Sequence, residues 1–387
     1  MAARPTIFIS AGEASGDLYA GALAAALGVL RPGCRIVGMG GGRMEQAGVE
    51  LLIDVGDSSV VGLVEVLRQI PEFLRKRRRL KRWIAAQRPD AVVLVDFPDF
   101  NLALGEYAHG LGVPVVYFIP PKAWAWRPYR AERVRRFATR VVSVLPFEAE
   151  FYARVGARVE YVGHPLIDIV LPLDVDSQTD ARRALGIPSR AKVLGLLPGS
   201  RRREVVGLLP RMLGAATRIQ RGTAGLHVVV PTAPAVEALV REIVLDYQSD
   251  HGSTLPTDIV SGETYKSMRA CDALLAAAGT VTLEAAILGV PMVVVYRMFP
   301  LTHALVRRLV RVRYGALPNL IANAEIVPEL IQDAATAENM ASAAARLLDD
   351  PDAARAQESQ LRDVVAVLGE GGAVTRAAEA VLSAAEA

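Results

Sequence analysis

The sequence predicts an α/β protein with two Rossmann-like domains, and three observations support this prediction. The chain has 387 residues, which exceeds the size of one ordinary hydrophobic core. Short apolar runs recur between amphipathic helical stretches, and most lack alternation, as expected for parallel strands buried on both faces. A stretch rich in Pro, Asp and Ser at residues 168–191 interrupts the series, and a second series of strands follows it.

The first half contains six predicted strands. They are TIFIS (6–10), RIVGMG (35–40), AVVLVD (91–96), VVYFI (115–119), VVSVL (141–145) and VEYVG (159–163). Helical patterns lie between several of them, at about residues 17–30, 63–86 and 101–111. Alternating strands and helices are typical of βαβ units, so we expect one parallel sheet here.

The second half repeats the pattern after a linker and a short helix. Its predicted strands lie in KVLGLLPGSR (192–201), LHVVVP (226–231), TDIVSG (257–262), ALLAAAGT (273–280) and MVVVYR (292–297). The tail from about residue 334 is Ala-rich and helical. We therefore divide the chain into domains 1–170 and 171–387, and the final helices could pack back on the first domain. In such a protein the two domains face each other across a cleft, and the ligand binds there at the strand carboxyl ends.

Composition excludes several classes of protein. Hydrophobic residues make up 52% of the chain and charged residues 22%, which favours packed cores over disorder. The 44 basic residues are nearly balanced by 41 acidic ones, whereas a protein dedicated to nucleic acid is usually basic throughout. Neither the two cysteines nor the five histidines show metal-ligand spacing, so we expect no metal. The N-terminus does not resemble a signal peptide, and no stretch approaches the roughly 18 apolar residues of a spanning helix, which predicts a cytoplasmic protein.

Two strand–turn–helix junctions in the second half could bind an anion. Each presents backbone N–H groups and the positive end of a helix dipole, and an arginine at the first adds a bidentate donor for phosphate. A glutamate one turn into the second helix could reach a sugar hydroxyl. The alternatives are a Gly-Ser turn with solvated arginines and a glutamate that only complements the helix dipole. Two such helix ends suit a diphosphate, for which the candidates are Gly199, Ser200, Arg201, Gly279, Thr280 and Glu284.

The first half has two acidic residues at the end of a buried strand. Asp96 ends AVVLVD, and Asp99 follows three residues later. A carboxylate at the carboxyl end of a central strand lies where α/β proteins bind ligands, and apolar surroundings would raise its pKa and suit it to general-base catalysis. Alternatively, Asp99 or Asn101 caps the next helix and Asp96 pairs with a buried arginine.

Two further segments could line the same site. The loop in ISAGEASGDLYAGAL lacks the glycine spacing of a dinucleotide fingerprint or a P-loop, but Ser15 and Asp17 could cap the following helix and line the cleft. The segment PPKAWAWRPYR places Trp126 beside Arg127, and aromatic surfaces with arginine bind sugars, bases or headgroups. The alternative for Trp126 is an anchor for its own loop.

Taken in order, segments along nearly the whole chain resemble a known family. They are AGEASGD, VVGLVEVLRQIP, VDFPDFN, AWAWRPYR, LPFEAEFY, VGHPLID, LPGSRRREV, AGTVTLEAAILGVPMVVVYRM and LPNLIANAEIVPELIQ. They resemble the lipid-A-disaccharide synthase family over about residues 6–335. The resemblance implies the two-domain GT-B glycosyltransferase fold and no cofactor. It also implies an inverting transfer of 2,3-diacylglucosamine from UDP-2,3-diacylglucosamine to 2,3-diacylglucosamine 1-phosphate (lipid X), which forms the β-1′,6-linked disaccharide 1-phosphate and UDP.

The resemblance also implies roles for individual residues. Asp96 matches the family's important aspartate and is the expected base for the acceptor 6-hydroxyl, with Asp99 as the second candidate. Arg201 and the two helix N-termini would stabilise the leaving UDP without a metal. Glu284 and Asn319 would hold the nucleotide. The acceptor side would be lined by Ser15, Asp17, Trp126 and Arg127.

The chain departs from the family pattern at two places. Pro120-Pro121-Lys122 replaces a Ser-Pro-Ser-type lead into the tryptophan motif, and Ala278 stands where many members have serine. These departures bear on direct contacts by the two loops and leave the fold unaffected. The competing predictions are another UDP-sugar enzyme with this fold, such as the lipid II glycosyltransferase or UDP-GlcNAc 2-epimerase, and a basic nucleic-acid-binding protein.

A basic run, RKRRRLKRW at residues 75–83, places seven Lys or Arg in eight consecutive positions. Apolar residues precede it at helical spacing, and apolar side chains beside dense positive charge are typical of an interfacial membrane surface. Because residues step about 100° around a helix, all seven cannot face one groove. The alternative for the run is an ordinary solvated face.

The acylated substrates of the family favour a membrane as the partner of this run. We expect residues 58–82 to dock on the anionic cytoplasmic leaflet of the inner membrane as a peripheral contact, with no nucleic acid partner. A second patch of the same kind lies at residues 299–314. The expected membrane contacts are Val64, Leu67, Ile70, Arg75, Arg77, Arg78 and Arg79.

Overall fold

The computed structural model describes residues 4–55, 63–173, 177–223, 225–298 and 312–386, with the backbone alone for residues 63–70. The chain divides into two compact units. The first consists of Met1–Ile169 and Leu368–Ala387, and the second of Val170–Val367. Each unit contains a parallel sheet of its own.

The first unit contains a seven-stranded parallel sheet with the order β3-β2-β1-β4-β5-β6-β7. The strands are β1 (Thr6–Ala11), β2 (Arg35–Gly40), β3 (Glu50–Asp54), β4 (Ala91–Val95), β5 (Val115–Phe118), β6 (Arg140–Ser143) and β7 (Val159–Tyr161). The six strands predicted from the sequence are confirmed, each within two residues at either end. β3 is missing from that prediction, because it is a partly exposed edge strand with charged residues at both ends.

Seven helices of the described residues belong to this part of the chain. They are α1 (Ala14–Leu30), α2 (Gly42–Gln46), α3 (Leu63–Gln87), α4 (Pro98–Gly110), α5 (Tyr129–Phe137), α6 (Pro146–Arg154) and α7 (Leu166–Val170). The three predicted helices correspond to α1, α3 and α4. α4 begins earlier than expected because Pro98 suits the first turn of a helix, where its missing N–H is not needed.

The sheet is covered on both faces, which accounts for its unbroken apolar strands. All five residues of β4 are buried. Phe8 of β1 and Leu94 of β4 share a hydrophobic cluster with Leu80 and Ile84 of α3, and all four side chains are fully buried. Burial stabilises each such side chain by roughly 1.5–3 kcal/mol. The second half of α3 is therefore firmly attached to the sheet.

The second unit contains a six-stranded parallel sheet with the order β10-β9-β8-β11-β12-β13. The strands are β8 (Lys192–Leu197), β9 (Leu226–Thr232), β10 (Thr257–Ser261), β11 (Ala273–Ala277), β12 (Met292–Tyr296) and β13 (Glu329–Ile331). The five predicted strands are confirmed. β13 has only three residues, too few to give a pattern that the sequence could show.

Helices cover both faces of the second sheet as well. They are α8 (Gln178–Ala184), α9 (Arg202–Gln220), α10 (Glu237–His251), α11 (Thr264–Ala270), α12 (Val281–Ile287), α13 (Leu317–Ala322), α14 (Ala337–Asp349) and α15 (Pro351–Val367). Short 3-10 turns occupy Pro234–Val236 and Gln332–Ala334. Across the described residues of both units, no helix is long and apolar enough to span a membrane.

The last helix, α16 (Ala373–Ala385), belongs to the first unit. It packs against α1 and against β4, β5 and β6. The carboxylate of Asp168 holds its first turn, since Oδ1 accepts the N–H of Gly372 at 2.6 Å and Oδ2 accepts that of Val374 at 2.8 Å. The buried face of α16 is mostly alanine, which allows a close approach to its neighbours.

Candidate active site

In the first unit, the strained end of β4 positions Asp96. Asp96 and Phe97 both have left-handed backbones, with φ of 45° and 47°. Such conformations cost roughly 1–3 kcal/mol for each non-glycine residue and cluster at functional sites. Here the carbonyl of Asp96 accepts hydrogen bonds from Asn101 Nδ2 at 2.8 Å and from the Tyr117 hydroxyl at 3.0 Å. The surrounding protein therefore holds the backbone from which the Asp96 side chain projects.

Asn101 joins the ends of two strands beneath that carboxylate. Its side chain is fully buried. Oδ1 accepts from the Ser10 hydroxyl at 2.7 Å, while Nδ2 also lies 3.2 Å from the carbonyl oxygens of Ser10 and Val95. The sequence left open that Asn101 caps α4. The structure instead shows a link between β1 and β4 that supports Asp96.

The ring of Phe97 is seated on the loop that follows β1. A Cβ atom added at Gly12 would lie 2.1 Å from the Phe97 ring, so only glycine fits there. On its other side Phe97 contacts Phe73 of α3 and Phe100 of α4, with ring centroids 5.8 and 5.6 Å away. Three aromatic rings and a glycine loop thus hold the residue next to Asp96.

The electrostatic surroundings of Asp96 favour a proton acceptor. Burial raises the pKa of the Asp96 carboxyl, and the nearby Glu13 carboxylate raises it further. The Lys122 ammonium and the backbone N–H of Phe97 oppose this and lower the pKa. A partly desolvated carboxylate with a raised pKa is suited to general-base catalysis near neutral pH.

Asp99 lies in the first turn of α4 and is engaged by two arginines. It forms an ion pair with the buried Arg130 and lies 3.7 Å from Arg127. The sequence left open that Asp96 is the residue paired with a buried arginine. The structure assigns that pairing to Asp99. Among the described residues Asp96 has no arginine partner, so its carboxylate is the one left to accept a proton.

Trp126 lies between the same two arginines. The guanidinium of Arg127 is 4.2 Å from its ring centroid and that of Arg130 is 5.2 Å away. Arg127 is left-handed, with φ of 57°, and its side chain is partly exposed. Within the described part of the chain, the buried Nε of Arg130 has no hydrogen-bond partner. The cluster is a rigid aromatic and cationic surface beside Asp99.

Asp17 does not present a free carboxylate to the site. It is buried, and its oxygens accept the backbone N–H groups of Gly41 at 2.7 Å, Arg43 at 2.9 Å and Met44 at 3.1 Å. These bonds cap the start of α2. Asp17 therefore has a structural role in capping α2, and its expected place on the acceptor side stays a prediction. Ser15 lies half-buried in the first turn of α1.

Glu148 is a buried acid that the sequence analysis missed. Its carboxylate accepts from Trp124 Nε1 at 3.2 Å and from the Ser143 hydroxyl at 3.0 Å, and burial raises its pKa to about 7. The Tyr152 hydroxyl donates to the carbonyl of Pro121 at 2.7 Å. These bonds anchor the tryptophan loop to β6 and α6. In LPFEAEFY this glutamate has the position of an ordinary first-turn acid, so its pattern gives no signal of the bond to Trp124.

Lys122 is a second residue of this site that sequence reasoning named only as a departure from the family. Its side chain is exposed, and its charge acts on Asp96, on Glu148 and on the buried His164. Burial lowers the pKa of His164 to about 3, and Lys122 adds to that effect, so this imidazole is neutral. Lys122 therefore adds to the positive charge that Arg127 and Arg130 bring to this site.

In the second unit, the turn between β8 and α9 is compact. Gly199 has φ of 108°, and a Cβ added there would lie 2.3 Å from Oε2 of Glu204. Glu204 accepts the backbone N–H of Arg201 at 3.4 Å and lies 3.5 Å from its guanidinium. Ser200 is exposed in the same turn. The three predicted anion-binding residues thus surround the start of a 19-residue helix, next to a glutamate that the sequence analysis did not include.

The second junction, before α12, has its glutamate in the expected place. Thr280 makes no side-chain capping bond within the described structure, while the Thr282 hydroxyl donates to the carbonyl of Gly279 at 2.8 Å. Burial alone raises the pKa of Glu284 to about 7. This carboxylate has no hydrogen bond or ion pair with any residue that the structure describes. A half-buried acid with a raised pKa and no partner among the described residues is typical of a ligand-binding position.

Asn319 is fully used by its own loop. Its side chain is buried, Nδ2 donates to Val327 O and Glu329 Oε1, both at 2.8 Å, and Oδ1 accepts from the N–H of Ile326 at 2.8 Å and of Val327 at 2.9 Å. All four hydrogen bonds of the amide are satisfied. Asn319 therefore organises the chain between α13 and β13, and its expected contact with the nucleotide stays a prediction.

The basic run lies on the second half of α3, where its charges divide between two faces. Arg75, Arg78 and Arg79 are exposed, whereas Arg77 and Lys81, one turn apart, are half-buried. The remaining predicted membrane contacts, the side chains of Val64, Leu67 and Ile70, lie outside the described residues, as do residues 299–311 of the second patch. The prediction that the run cannot face one groove as a whole is confirmed.

Solved structures with similar folds define the class of this protein. UDP-GlcNAc 2-epimerase from Neisseria meningitidis, bound to UDP-GlcNAc, matches 98% of this chain and 100% of its own with a TM-score of 0.68 at 14% identity. MurG from Acinetobacter baumannii matches 98% and 100% with a TM-score of 0.58 at 14% identity. At these identities the likeness shows the fold alone. The protein has the GT-B fold, with two α/β units that each contain a parallel sheet.

Sequence relatives are more specific. The family model for lipid-A-disaccharide synthetase matches residues 7–383. Lipid-A-disaccharide synthase from Anaeromyxobacter dehalogenans (strain 2CP-1) is 44% identical over 376 residues, covering 97% of this chain and 96% of that protein. The enzyme from Myxococcus xanthus (strain DK1622) is 42% identical over 379 residues, covering 98% and 97%. The chain belongs to the lipid-A-disaccharide synthetase family and is a glycosyltransferase, so the predicted family is confirmed and the competing predictions are not favoured.

Proposed function

We propose that this chain transfers 2,3-diacylglucosamine from UDP-2,3-diacylglucosamine to 2,3-diacylglucosamine 1-phosphate, with inversion at C1 of the donor. The first unit binds the acceptor and the second unit binds UDP. The observation that carries the proposal is Asp96, a half-buried carboxylate with a raised pKa at the end of a central strand, held by a strained backbone and a buried amide. A direct displacement needs a base of this kind for the acceptor 6-hydroxyl.

On the donor side, two features support a UDP site. Arg201 and the first turn of α9 combine a guanidinium with the positive end of a long helix, a combination suited to the charge that develops on the departing diphosphate. Glu284, half-buried and without a partner among the described residues, is suited to accept hydrogen bonds from sugar hydroxyls. Gly199 makes room for the side chain of Glu204, whereas no described atom lies within 4 Å of a Cβ added at Gly279, so the second turn has space for a ligand.

On the acceptor side, Trp126 and Arg127 offer a flat apolar ring beside a partly exposed cation. Sugars bind well to such aromatic faces, and the cation suits the acceptor phosphate. Glu148 acts through Trp124 to hold this loop. Ser15, in the first turn of α1, could contribute a hydroxyl from the neighbouring strand end.

Membrane association is part of the proposal. Both substrates carry acyl chains, and the exposed arginines of α3 are suited to an anionic leaflet. We therefore place the enzyme on the cytoplasmic face of the inner membrane as a peripheral protein, with residues 58–82 as its contact.

The decisive experiment is a transfer assay with both lipid substrates and a radiolabelled donor. Asp96→Asn should lower kcat by about a hundredfold to ten-thousandfold, the usual contribution of a general base, while UDP binding stays. Asp99→Asn is the matched control, because it also removes one carboxylate three residues away, and its loss should be much smaller. Full turnover of Asp96→Asn, or a larger loss in Asp99→Asn, would mean that Asp96 is not the base.

A further inference from the structure

The second half of α3 presents four arginines outward in a fixed arrangement. Leu80 and Ile84 are fully buried against the sheet, which sets the rotation of the helix about its axis. Positions three and four residues apart share a helix face. The exposed face therefore carries Arg75, Arg78, Arg79 and Arg82.

These four arginines line one open groove, and its remaining wall is an aromatic ring. The groove has a volume of about 610 Å³ and is lined by the four arginines and Trp83. This volume lies within the range of roughly 300–1,000 Å³ that is usual for ligand sites. Trp83 is half-buried, with its ring 5.5 Å from that of Phe8, so the wall is anchored to the core of the sheet.

Among the described residues, no ion pair balances the positive charge of the groove. None of the four arginines has an ion pair or hydrogen bond with a residue that the structure describes. Like charges held this close repel one another, and a bound anion would relieve that repulsion. A guanidinium is also the side chain best shaped for bidentate bonds to phosphate oxygens.

A neighbouring groove on the same helix is partly acidic. It has a volume of about 490 Å³, shares Arg75 and Arg79, and is also lined by Asp54 and Glu72. Glu72 already forms an ion pair with Lys76 at 2.9 Å. An anion is therefore favoured on the side of Trp83 and disfavoured on the side of the two acids.

We infer that the groove formed by Arg75, Arg78, Arg79, Arg82 and Trp83 binds the phosphomonoester headgroup of a membrane lipid. A phosphomonoester carries up to two charges and three terminal oxygens, which suits several guanidinium groups better than a phosphodiester with one charge. An indole ring with one apolar face is typical of the membrane interface, where a lipid headgroup would reach it. The inference rests on the proposed membrane association and makes it specific, because it replaces a diffuse basic surface by one saturable site.

The test measures the binding of the full-length protein to two kinds of vesicle. One is phosphatidylcholine with phosphatidic acid, a phosphomonoester lipid, and the other is phosphatidylcholine with phosphatidylglycerol, adjusted to the same zeta potential. The wild-type protein should bind the phosphatidic acid vesicles more tightly and saturably. Free inorganic phosphate should compete only weakly, because it lacks the lipid body that places the headgroup in the groove.

Two double variants of equal charge distinguish binding at the groove from a general attraction between the basic helix and an anionic surface. Arg78→Ala with Arg82→Ala removes two groove residues, and Arg77→Ala with Lys81→Ala removes two basic residues of the same helix outside the groove. Each basic residue near an anionic surface contributes roughly a factor of five in affinity. The groove variant should therefore lose about 25-fold on phosphatidic acid vesicles and all preference for them, while the control variant keeps the preference.

Three outcomes would overturn the inference. They are equal binding of both vesicles by the wild-type protein, the same loss of preference in both variants, and competition by free phosphate as strong as that by the lipid. A dependence of duplex DNA or RNA binding, rather than vesicle binding, on Arg78 and Arg82 would make the groove a nucleic-acid site and also contradict it. Failure of the proposed function would look different, since detergent-solubilised substrates would then give no transfer even though the vesicle preference persists.

Discussion

At the scale of single residues, three acids with raised pKa values illustrate how the surroundings of a carboxylate decide its role. Burial raises the pKa of Asp96, Glu148 and Glu284 alike. Glu148 receives two hydrogen bonds from the protein and holds a loop. Asp96 lies among charged neighbours at the end of a strand, and Glu284 has no partner among the described residues. The number of hydrogen bonds that the protein donates to a carboxylate therefore separates a structural acid from an acid that is available to a substrate.

The structural role of Glu148 leads to a prediction about pH. Its pKa is raised from 4.5 to about 7, so its contribution to stability is full below pH 4.5 and is lost as pH rises through about 7. A shift of this size corresponds to roughly 3 kcal/mol. Glu148→Gln keeps an acceptor for Trp124 but does not titrate, so the free energy of unfolding of the wild-type protein should fall relative to Glu148→Gln over this pH interval.

Denaturant unfolding at a series of pH values measures this difference. Glu150→Gln is the matched control, because Glu150 is an exposed residue of the same helix, and its pH profile should follow the wild type. Parallel profiles for wild type and Glu148→Gln would show that the Glu148 carboxylate is not held in a desolvated site.

At the scale of elements, the loop after β1 and the end of β4 form one unit. Phe97 follows Asp96, and its ring occupies the space above Gly12. Gly12→Ala would put a methyl group 2.1 Å from that ring, so the ring or the loop must move. We expect a loss of about 1–3 kcal/mol in stability, typical of overpacking, together with a fall in kcat, because the backbone that aims Asp96 moves with Phe97.

A second glycine provides the control for this experiment. Gly28 is exposed in α1, and a Cβ added there meets no atom within 4 Å. Gly28→Ala should be neutral or should stabilise the protein by up to about 1 kcal/mol through helix propensity. Denaturant unfolding and the transfer assay on both variants decide the matter. Equal effects of the two changes would exclude a special constraint at Gly12.

The elements that the sequence could predict are those with a strong local pattern. Strands buried on both faces have continuous apolar runs, and α3 and α1 have long periodic stretches, so these elements were predictable. β3 and β13 are short edge strands whose pairing depends on a neighbouring strand, and no local pattern marks them. α1 and α4 begin three residues earlier than predicted, because prolines and small residues at a first turn do not show helical periodicity.

At the scale of the whole molecule, the sequence could suggest candidate site residues only where their place at the end of a strand is itself informative. Asp96 and Arg201 follow buried strands, and the ends of parallel strands are where such folds bind ligands. Asp17 and Asn319 also lie in segments where a ligand-binding role was expected. In the structure, however, Asp17 accepts a backbone N–H from a distant segment, and Asn319 accepts one from its own loop. Glu148 contacts Trp124 from 24 residues away. These contacts follow from tertiary packing and leave no local signal in the sequence.

The last helix, α16, belongs to the first unit although it follows the second unit in the sequence, and its attachment can be tested. Asp168 accepts two backbone N–H groups at the start of α16. Hydrogen bonds to a charged acceptor contribute roughly 1.5–3 kcal/mol each. Asp168→Ala should therefore speed hydrogen exchange of the amides in Ala373–Ala385 and in α1, on which this helix packs.

Hydrogen exchange read by mass spectrometry resolves these segments. Ser177→Ala is the control, because Ser177 caps α8 in the second unit by accepting the N–H of Asp180 at 3.1 Å. That variant should speed exchange at Gln178–Ala184 and leave α16 unchanged. Unchanged exchange of α16 in Asp168→Ala would show that this carboxylate does not hold the helix.

The division of the chain also has a consequence for its synthesis. β1–β7 are made first, but α16, which covers part of their sheet, is made only after the whole of Val170–Val367. At roughly 5–20 residues per second, those residues take on the order of 10–40 s to translate. The second unit, which is continuous, can finish folding on the ribosome, while the first keeps an uncovered apolar surface during that interval. The nascent first unit is therefore the part of this protein most dependent on chaperones.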